Sequence, residues 1–251
     1  MMKTKEFSIR EAQNNIRCLL YSGDGKLERA VIYCHGFAGH KATRSAARFA
    51  EYMLAKYKDM AVLCFDWPCH GDDVKKKLRL EDCSAYLGAV ISYARENLGA
   101  SEVNCYANSF GGYLALKYVL ENGDPFRMMA LRSPAVNMFE VQSSLLSETD
   151  RAQLAKGKDV LMGFDRKIAI GPAFFDELRK EDITERDFKP FAETMLIMHG
   201  EKDEVVPFAA AQDFAERNGI DLIPFPNADH RFSDPKLMTE AIQYIEAFFE
   251  C

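Results

Sequence analysis

Three residues of this chain have the types and the order that nucleophilic attack on an acyl carbon needs: Ser109, Asp203 and His230. A serine hydroxyl is a weak nucleophile until a base takes its proton, and the base works best when a carboxylate holds it in orientation. Ser109 lies in Val103-Asn104-Cys105-Tyr106-Ala107-Asn108-Ser109-Phe110-Gly111-Gly112-Tyr113. A β-prone run enters the serine and a helix-prone run, Tyr113 to Leu120, leaves it. That is the layout of a nucleophile elbow, a strained strand-to-helix turn that pushes the serine Oγ out of the fold. Ala107 and Gly111 occupy the two positions where a large side chain would collide with a neighbouring strand or helix. The usual G-x-S-x-G pattern is here A-x-S-x-G, followed by a second glycine.

The acid and the base have competitors. Asp203 falls in His199-Gly200-Glu201-Lys202-Asp203-Glu204-Val205-Val206-Pro207, after an apolar run and before a helical one. Asp66 is expected to anchor its own loop through backbone N–H groups. Asp229 adjoins His230, and sequence neighbours rarely point side chains at each other. The segment Ser133-Pro134-Ala135-Val136-Asn137, another place for an acid, contains no carboxylate. Of five histidines, only His230 follows the last strand-like run; His35, His70 and His199 sit at strand ends and read as structural hydrogen-bonding residues, and His40 as exposed. Cys34, His35, Cys69 and His70 match no zinc spacing, so no metal is expected. Gly36 to Gly39 lacks the lysine and the length of a phosphate-binding loop.

These residues need a scaffold, and the chain spells one out. Strands are expected at Glu6–Arg10, Asn15–Tyr21, Ala30–Cys34, Met60–Phe65, the run entering Ser109, Arg127–Arg132, Thr194–Met198 and Asp221–Pro224. Helical periodicity marks Arg44–Tyr57, Leu80–Leu98, the run from Ser109 to about Asn122, Pro207–Arg217 and Pro235–Phe249. Strands alternating with helices imply a mostly parallel sheet covered on both faces. From 134 to 190 the alternation is lost. Ser147-Glu148-Thr149-Asp150 opens a short helix, Asp159–Phe164 and Arg166–Ile170 suggest a small hairpin, and Pro172–Lys180 another helix. So long an interruption is too long for an ordinary loop. It reads as a cap (134–190) inserted into a core made of residues 1–133 and 191–251. Phe164, Phe174 and Phe175 either line a substrate pocket beneath this cap or glue it to the body.

Composition narrows the functional classes. The chain has 251 residues, 48% of them hydrophobic, enough for one sizeable α/β core. Net charge is −6 and no basic stripe stands out, which argues against a nucleic-acid partner. The run Lys75-Lys76-Lys77 reads as a solvated segment. Seven scattered cysteines, several in apolar runs, suit a reducing cytoplasm better than a disulfide framework. No apolar window reaches the roughly 20 residues of a membrane span, and Met1 to Arg10 lacks the apolar core of a signal segment.

Five blocks in order carry a family resemblance: His35-Gly36-Phe37, Phe65-Asp66-Trp67-Pro68-Cys69-His70-Gly71, Asn108-Ser109-Phe110-Gly111-Gly112, His199-Gly200 through Val206-Pro207, and Asp229-His230. With these the chain resembles α/β-hydrolases, in particular cinnamoyl (feruloyl) esterases and hydrolases like monoacylglycerol lipases and serine aminopeptidases. The resemblance implies Ser109 as nucleophile, His230 as base and Asp203 as its orienter. It implies an oxyanion hole from the backbone N–H groups of Phe37 and Phe110, and no cofactor. The expected activity is hydrolysis of a small-molecule ester, with a short-chain acyl or hydroxycinnamoyl group, through an acyl-enzyme. A peptidase, a thioesterase or a monoacylglycerol lipase would use the same groups, and a non-catalytic binding module the same fold. Ala107 for the usual glycine, Asn108 for the common histidine and Cys69 in the Phe-Asp-x-x-x-His-Gly loop depart from the family pattern without removing a catalytic group.

Overall fold

The computed structural model describes residues 2–11, 14–163 and 166–250. Two strands, β1 (Lys3–Glu11) and β2 (Asn14–Ser22), pair antiparallel at one edge. Next come β3 (Arg29–Cys34), helix α1 (Arg44–Lys56), β4 (Met60–Phe65), α2 (Leu80–Glu96), β5 (Glu102–Asn108), α3 (Phe110–Asn122) and β6 (Met129–Arg132). The stretch expected to break the rhythm carries α4 (Met138–Ser144), α5 (Glu148–Ala155), a hairpin of β7 (Val160–Met162) and β8 (Ile168–Ile170), α6 (Pro172–Lys180) and a 3₁₀ turn, Lys189–Thr194. Then β9 (Met195–Gly200), α7 (Phe208–Asn218), β10 (Asp221–Phe225) and α8 (Pro235–Phe249) complete the chain.

Eight strands form one sheet in the order β1-β2-β4-β3-β5-β6-β9-β10. From β4 to β10 every neighbouring pair is parallel; β2 meets β4 antiparallel. The continuous apolar runs follow from this, because a central parallel strand is buried on both faces. Along β3, Ala30, Ile32 and Cys34 join the core on one side of the sheet, while Val31 and Tyr33 join the core on the other. Along β4, Ala61, Leu63 and Phe65 face the first side and Met60, Val62 and Cys64 the second. Helices α2, α3 and α7 contribute to the first core, α1 and α8 to the second.

Helix starts follow local chemistry. Thr43 Oγ1 accepts from the Ala46 N–H at the start of α1, and Asp234 Oδ1 accepts from the Lys236 N–H at the start of α8. Ser147 and Asp150 form a reciprocal capping box at α5. The sequence pattern misses α4 and the 3₁₀ turn. Helix α4 has only seven residues, too short for its period to stand out, although Met138, Val141 and Leu145 fall at i, i+3 and i+7.

Two histidines are locked into the packing beside the sheet. His35 Nδ1–H donates to Gly36 O at 2.8 Å, and its Nε2 accepts from the Trp67 N–H at 3.3 Å. Burial pushes its pKa from 6.5 down to about 4. His70 Nδ1–H donates to Pro68 O, and burial pushes its pKa down to about 3. Both are held neutral in the fold, so below about pH 6.5 the unfolded chain binds protons that the folded chain refuses. Their contribution to stability is complete above that value and drains away as pH falls toward about 4. Urea midpoints are expected to drop steeply between pH 6.5 and 4, by a few kcal/mol in stability. His35→Gln should flatten that slope, and an unchanged slope would show that these imidazoles do not set it.

Candidate functional site

The carboxyl ends of β5, β9 and β10 point to one edge of the sheet, and Ser109, Asp203 and His230 follow those three strand ends. Ser109 links β5 to α3 with φ 50° and ψ −116°, a conformation that costs a non-glycine residue about 1–3 kcal/mol. Its N–H donates to Arg132 O, and its carbonyl accepts from Ala135 N–H and Tyr113 N–H, so neighbouring strand and helix hold the turn from both sides. Helix α3 passes so close to β3 that a Cβ on Gly111 would stand 2.3 Å from Cys34 O. Glycine is required there, and the close pass aims the start of α3 at the site.

The acid and base loops also meet through a glycine. A Cβ on Gly200 would lie 2.2 Å from Ala228 O. Glu201 N–H donates to Phe225 O and Lys202 N–H to Ala228 O, which ties the loop after β9 to the loop after β10. Asp203 and His230 are thereby brought together across 27 residues. His230 Nδ1 lies 2.7 Å from Asp203 Oδ2, and His230 Nε2 lies 3.0 Å from Ser109 Oγ. With Nδ1–H donating to the carboxylate, Nε2 offers its lone pair toward the serine hydroxyl.

Asp203 carries more partners than the sequence suggested. Its Oδ1 accepts from the N–H groups of Val205 and Val206 at 2.9 and 2.8 Å. Its Oδ2 is shared between His230 and His199, whose Nε2 is 3.1 Å away. His199 Nε2 also lies 3.0 Å from Val206 O, so that nitrogen bears the hydrogen. The Asp203 side chain is fully buried. Burial alone would raise its pKa. The hydrogen bonds from His199 and His230, the His230 charge and the Val206 N–H outweigh burial and hold it well below the usual carboxylate range. His199 reads from sequence as a packed histidine at a strand end; only the fold shows it against Asp203.

The competing acids do other work. Asp66 is fully buried; it accepts from the N–H groups of Lys41 and Asp72 and pairs with Lys41 Nζ. Gly71 packs so tightly against it that a Cβ would fall 2.0 Å from Asp66 Oδ1, at a positive φ of 50°. Asp229 Oδ1 accepts from Arg231 N–H and Ser233 N–H, so it braces the loop that carries His230.

The Phe37 loop lies against the serine. A Cβ on Gly36 would be 3.4 Å from Ser109 Cβ and 3.9 Å from Ser109 Oγ. Phe110 is the first residue of α3, so its N–H has no intrahelical acceptor. Neither the Phe37 N–H nor the Phe110 N–H has an acceptor among the described residues. The Phe37 and Phe110 rings meet edge to face at 5.7 Å, which pins the loop to the start of α3.

A cleft of about 1600 Å³ opens over Ser109 and His230. From the stretch between β6 and β9, Met138, Val141 and Gln142 of α4 line it, with Leu145 just after that helix and Arg166. Phe174 and Phe175 do not line this cleft. They are buried, and Phe174 stacks edge to face on Phe110. Of the two placements open to them in the sequence, theirs is that of packing residues. Phe164 lies outside the described residues. Arg132 carries no signal in the sequence that marks it as a neighbour of the site. It is 6% exposed at the end of β6, donates from Nε to Asn108 Oδ1 and from Nη1 to Arg231 O, and stacks over Phe232. It therefore bridges the residue before Ser109 and the residue after His230.

A doubly covered, mostly parallel sheet with a strained serine turn and an acid and a histidine at the same edge has the architecture of the α/β-hydrolases. The sequence model of the alpha/beta hydrolase fold family matches residues 29–169, and the chain belongs to that family. A search of curated proteins finds no match. Among solved structures, Est1E from Butyrivibrio proteoclasticus with ferulic acid bound is similar, at 20% identity over 98% of this chain and 100% of that one, with a TM-score of 0.77. The alpha/beta hydrolase domain-containing protein 10 from mouse is similar at 15% identity over 98% of each chain, also with a TM-score of 0.77. Among the described residues no helix is long and apolar enough to cross a membrane.

Proposed function

We propose that the protein is a serine hydrolase that cleaves a carboxylic ester through an acyl-enzyme on Ser109. The observation that carries this reading is the unbroken line Asp203 Oδ2–His230–Ser109 Oγ, at 2.7 and 3.0 Å. His230 Nε2 takes the hydroxyl proton as Ser109 Oγ attacks the ester carbonyl. The N–H groups of Phe37 and Phe110 hold the developing oxyanion, each donor lowering the barrier by about 3 kcal/mol. The tetrahedral adduct collapses, and His230 passes its proton to the departing alcohol. Water then gives a proton to His230 and attacks the acyl-enzyme; the acid leaves and Ser109 regains its hydrogen. The stretch 134–190 acts as a cap whose helix α4 shapes the acyl and alcohol sites. A short-chain acyl or hydroxycinnamoyl ester is the substrate class this reading favours. The six described cysteines are all buried free thiols, which supports a reducing, cytoplasmic setting.

A panel of p-nitrophenyl esters, an acyl thioester and an aminoacyl anilide tests the reaction class, with a fluorophosphonate probe reporting on the nucleophile. Ester turnover should exceed that of the other two, and the probe should label Ser109. No adduct on Ser109 in folded protein would leave a binding module instead. Faster thioester or anilide turnover would keep the nucleophile and change the substrate.

A further inference from the structure

The protein carries a net charge of −6, yet the wall of the cleft over Ser109 is positive. Among the described residues, six lysines and arginines line it, Lys41, Arg44, Arg48, Arg132, Arg166 and Arg231, against three carboxylates, Glu51, Asp72 and Glu204. Lys41 is itself paired with Asp72 and with the buried Asp66, so the excess of positive charge rests on the arginines. A local reversal of sign against the whole-molecule charge focuses potential inside a cleft and selects for ligands of the opposite sign.

Two parts of that wall have independent reasons to hold an anion. The first is the N-terminal turn of the 13-residue helix α1, where Thr43, Arg44 and Ser45 line the cleft. A helix start favours acidic side chains, because its unpaired N–H groups and dipole are positive. Here the first turn has no acid and begins on Arg44, so the helix places positive charge on its positive end. Arg44 is exposed and makes no ion pair among the described residues. The second is Arg132. It is 94% shielded from solvent by its 6% exposure, yet no carboxylate pairs with it among the described residues; its hydrogen bonds go to an amide oxygen and a backbone carbonyl. A buried cation without a counter-ion is costly, and an anion in the cleft would relieve that cost. Gln142 of α4 also lines the cleft; it is 1% exposed, and its Oε1 is buried with no donor among the described residues. A polar ligand in the cleft would supply one.

We propose that the α1 N-terminal turn and Arg132 form an anion subsite beside Ser109, so that the ester cleaved carries a carboxylate or a phosphate on one arm. This rests on the reading of Ser109 as the nucleophile of an ester hydrolase. The helix start supplies N–H donors and Arg44 a mobile guanidinium at the rim, while Arg132 supplies a fixed one deeper in. Gln142 faces the polar remainder of the ligand.

The test compares matched esters on the full chain. p-Nitrophenyl hemisuccinate is set against p-nitrophenyl butyrate, and p-acetoxybenzoate and p-acetoxyphenyl phosphate against p-tolyl acetate. At least one anionic ester is expected to exceed its neutral counterpart about tenfold or more in kcat/KM, as a charge-assisted contact gives. Which one wins tells carboxylate from phosphate and acyl arm from alcohol arm. The preference should fall toward one in Arg44→Gln or Arg132→Gln, and in about 0.5 M salt. A variant that is merely misfolded loses both members of a pair alike, so the ratio separates folding from recognition. Turnover of the neutral esters with no preference for any anionic one, or a preference that survives both substitutions, overturns the subsite and leaves ester hydrolysis standing. No turnover of any ester by folded protein overturns both.

Discussion

Ser109→Ala should lower kcat for p-nitrophenyl acetate by about 10⁶-fold and abolish fluorophosphonate labelling, with the fold intact. The size of the effect comes from what one oxygen does. Without Oγ there is no covalent intermediate, and His230 faces a void 3.0 Å away where its proton donor stood. The change should leave stability within about 1 kcal/mol. Ser109 is half-buried, its backbone is held by Arg132 O and by the N–H groups of Ala135 and Tyr113, and alanine fills the same turn. Thermal melts and circular dichroism on the variant check that half of the expectation. Near-normal turnover in a folded Ser109→Ala protein would remove Ser109 as nucleophile.

Asp203→Asn should lower kcat by about 10⁴-fold while KM changes little. The side-chain oxygen can stay on the Val205 and Val206 N–H groups, where Oδ1 now accepts. The new amide nitrogen then faces His230 Nδ1 and His199 Nε2, both of which presently donate to Oδ2. Two donors cannot share that position with a third. His230 answers by moving its hydrogen to Nε2, and the nitrogen beside Ser109 loses the lone pair that would accept the hydroxyl proton. Steady-state kinetics with p-nitrophenyl acetate and the rate of fluorophosphonate labelling should fall together. A loss under tenfold would shift the orienting role away from Asp203. Asp66→Asn or Asp229→Asn, in contrast, disturbs loops without reversing the His230 tautomer, because each accepts mainly from backbone N–H groups.

The parallel sheet was legible because it is written in local runs. Ala30–Cys34 and Met60–Phe65 are apolar throughout, and only a strand buried on both faces needs that. The candidate site was legible in order but not in contact. Ser109, Asp203 and His230 each follow a strand-like run, and a parallel sheet puts the ends of such runs at one edge. Arg132 and His199 were not legible as site neighbours. Each looks like the last polar residue of a strand, and their contacts with Asn108, Arg231 and Asp203 depend on which strands lie side by side. The order β5-β6-β9-β10 is a tertiary fact that no local pattern encodes. Helix α4 escaped for another reason: seven residues give less than two full turns of period, although Met138 and Val141 are buried in the core as well as lining the cleft.

The segment between β6 and β9 leaves the sheet at Ser133, which has a positive φ of 47°, and returns at the 3₁₀ turn before Met195. Its two ends are stitched to adjacent parallel strands, since β6 and β9 are neighbours in the sheet. None of Ser109, Asp203 and His230 lies within it. The chain thus keeps the residues proposed to react and the cleft residues Met138, Val141, Gln142, Leu145 and Arg166 in different passages of sequence. Drift in the second passage can reshape the space over Ser109 while the first stays unaltered, so the shape of the cleft and the line Asp203–His230–Ser109 can be inherited independently.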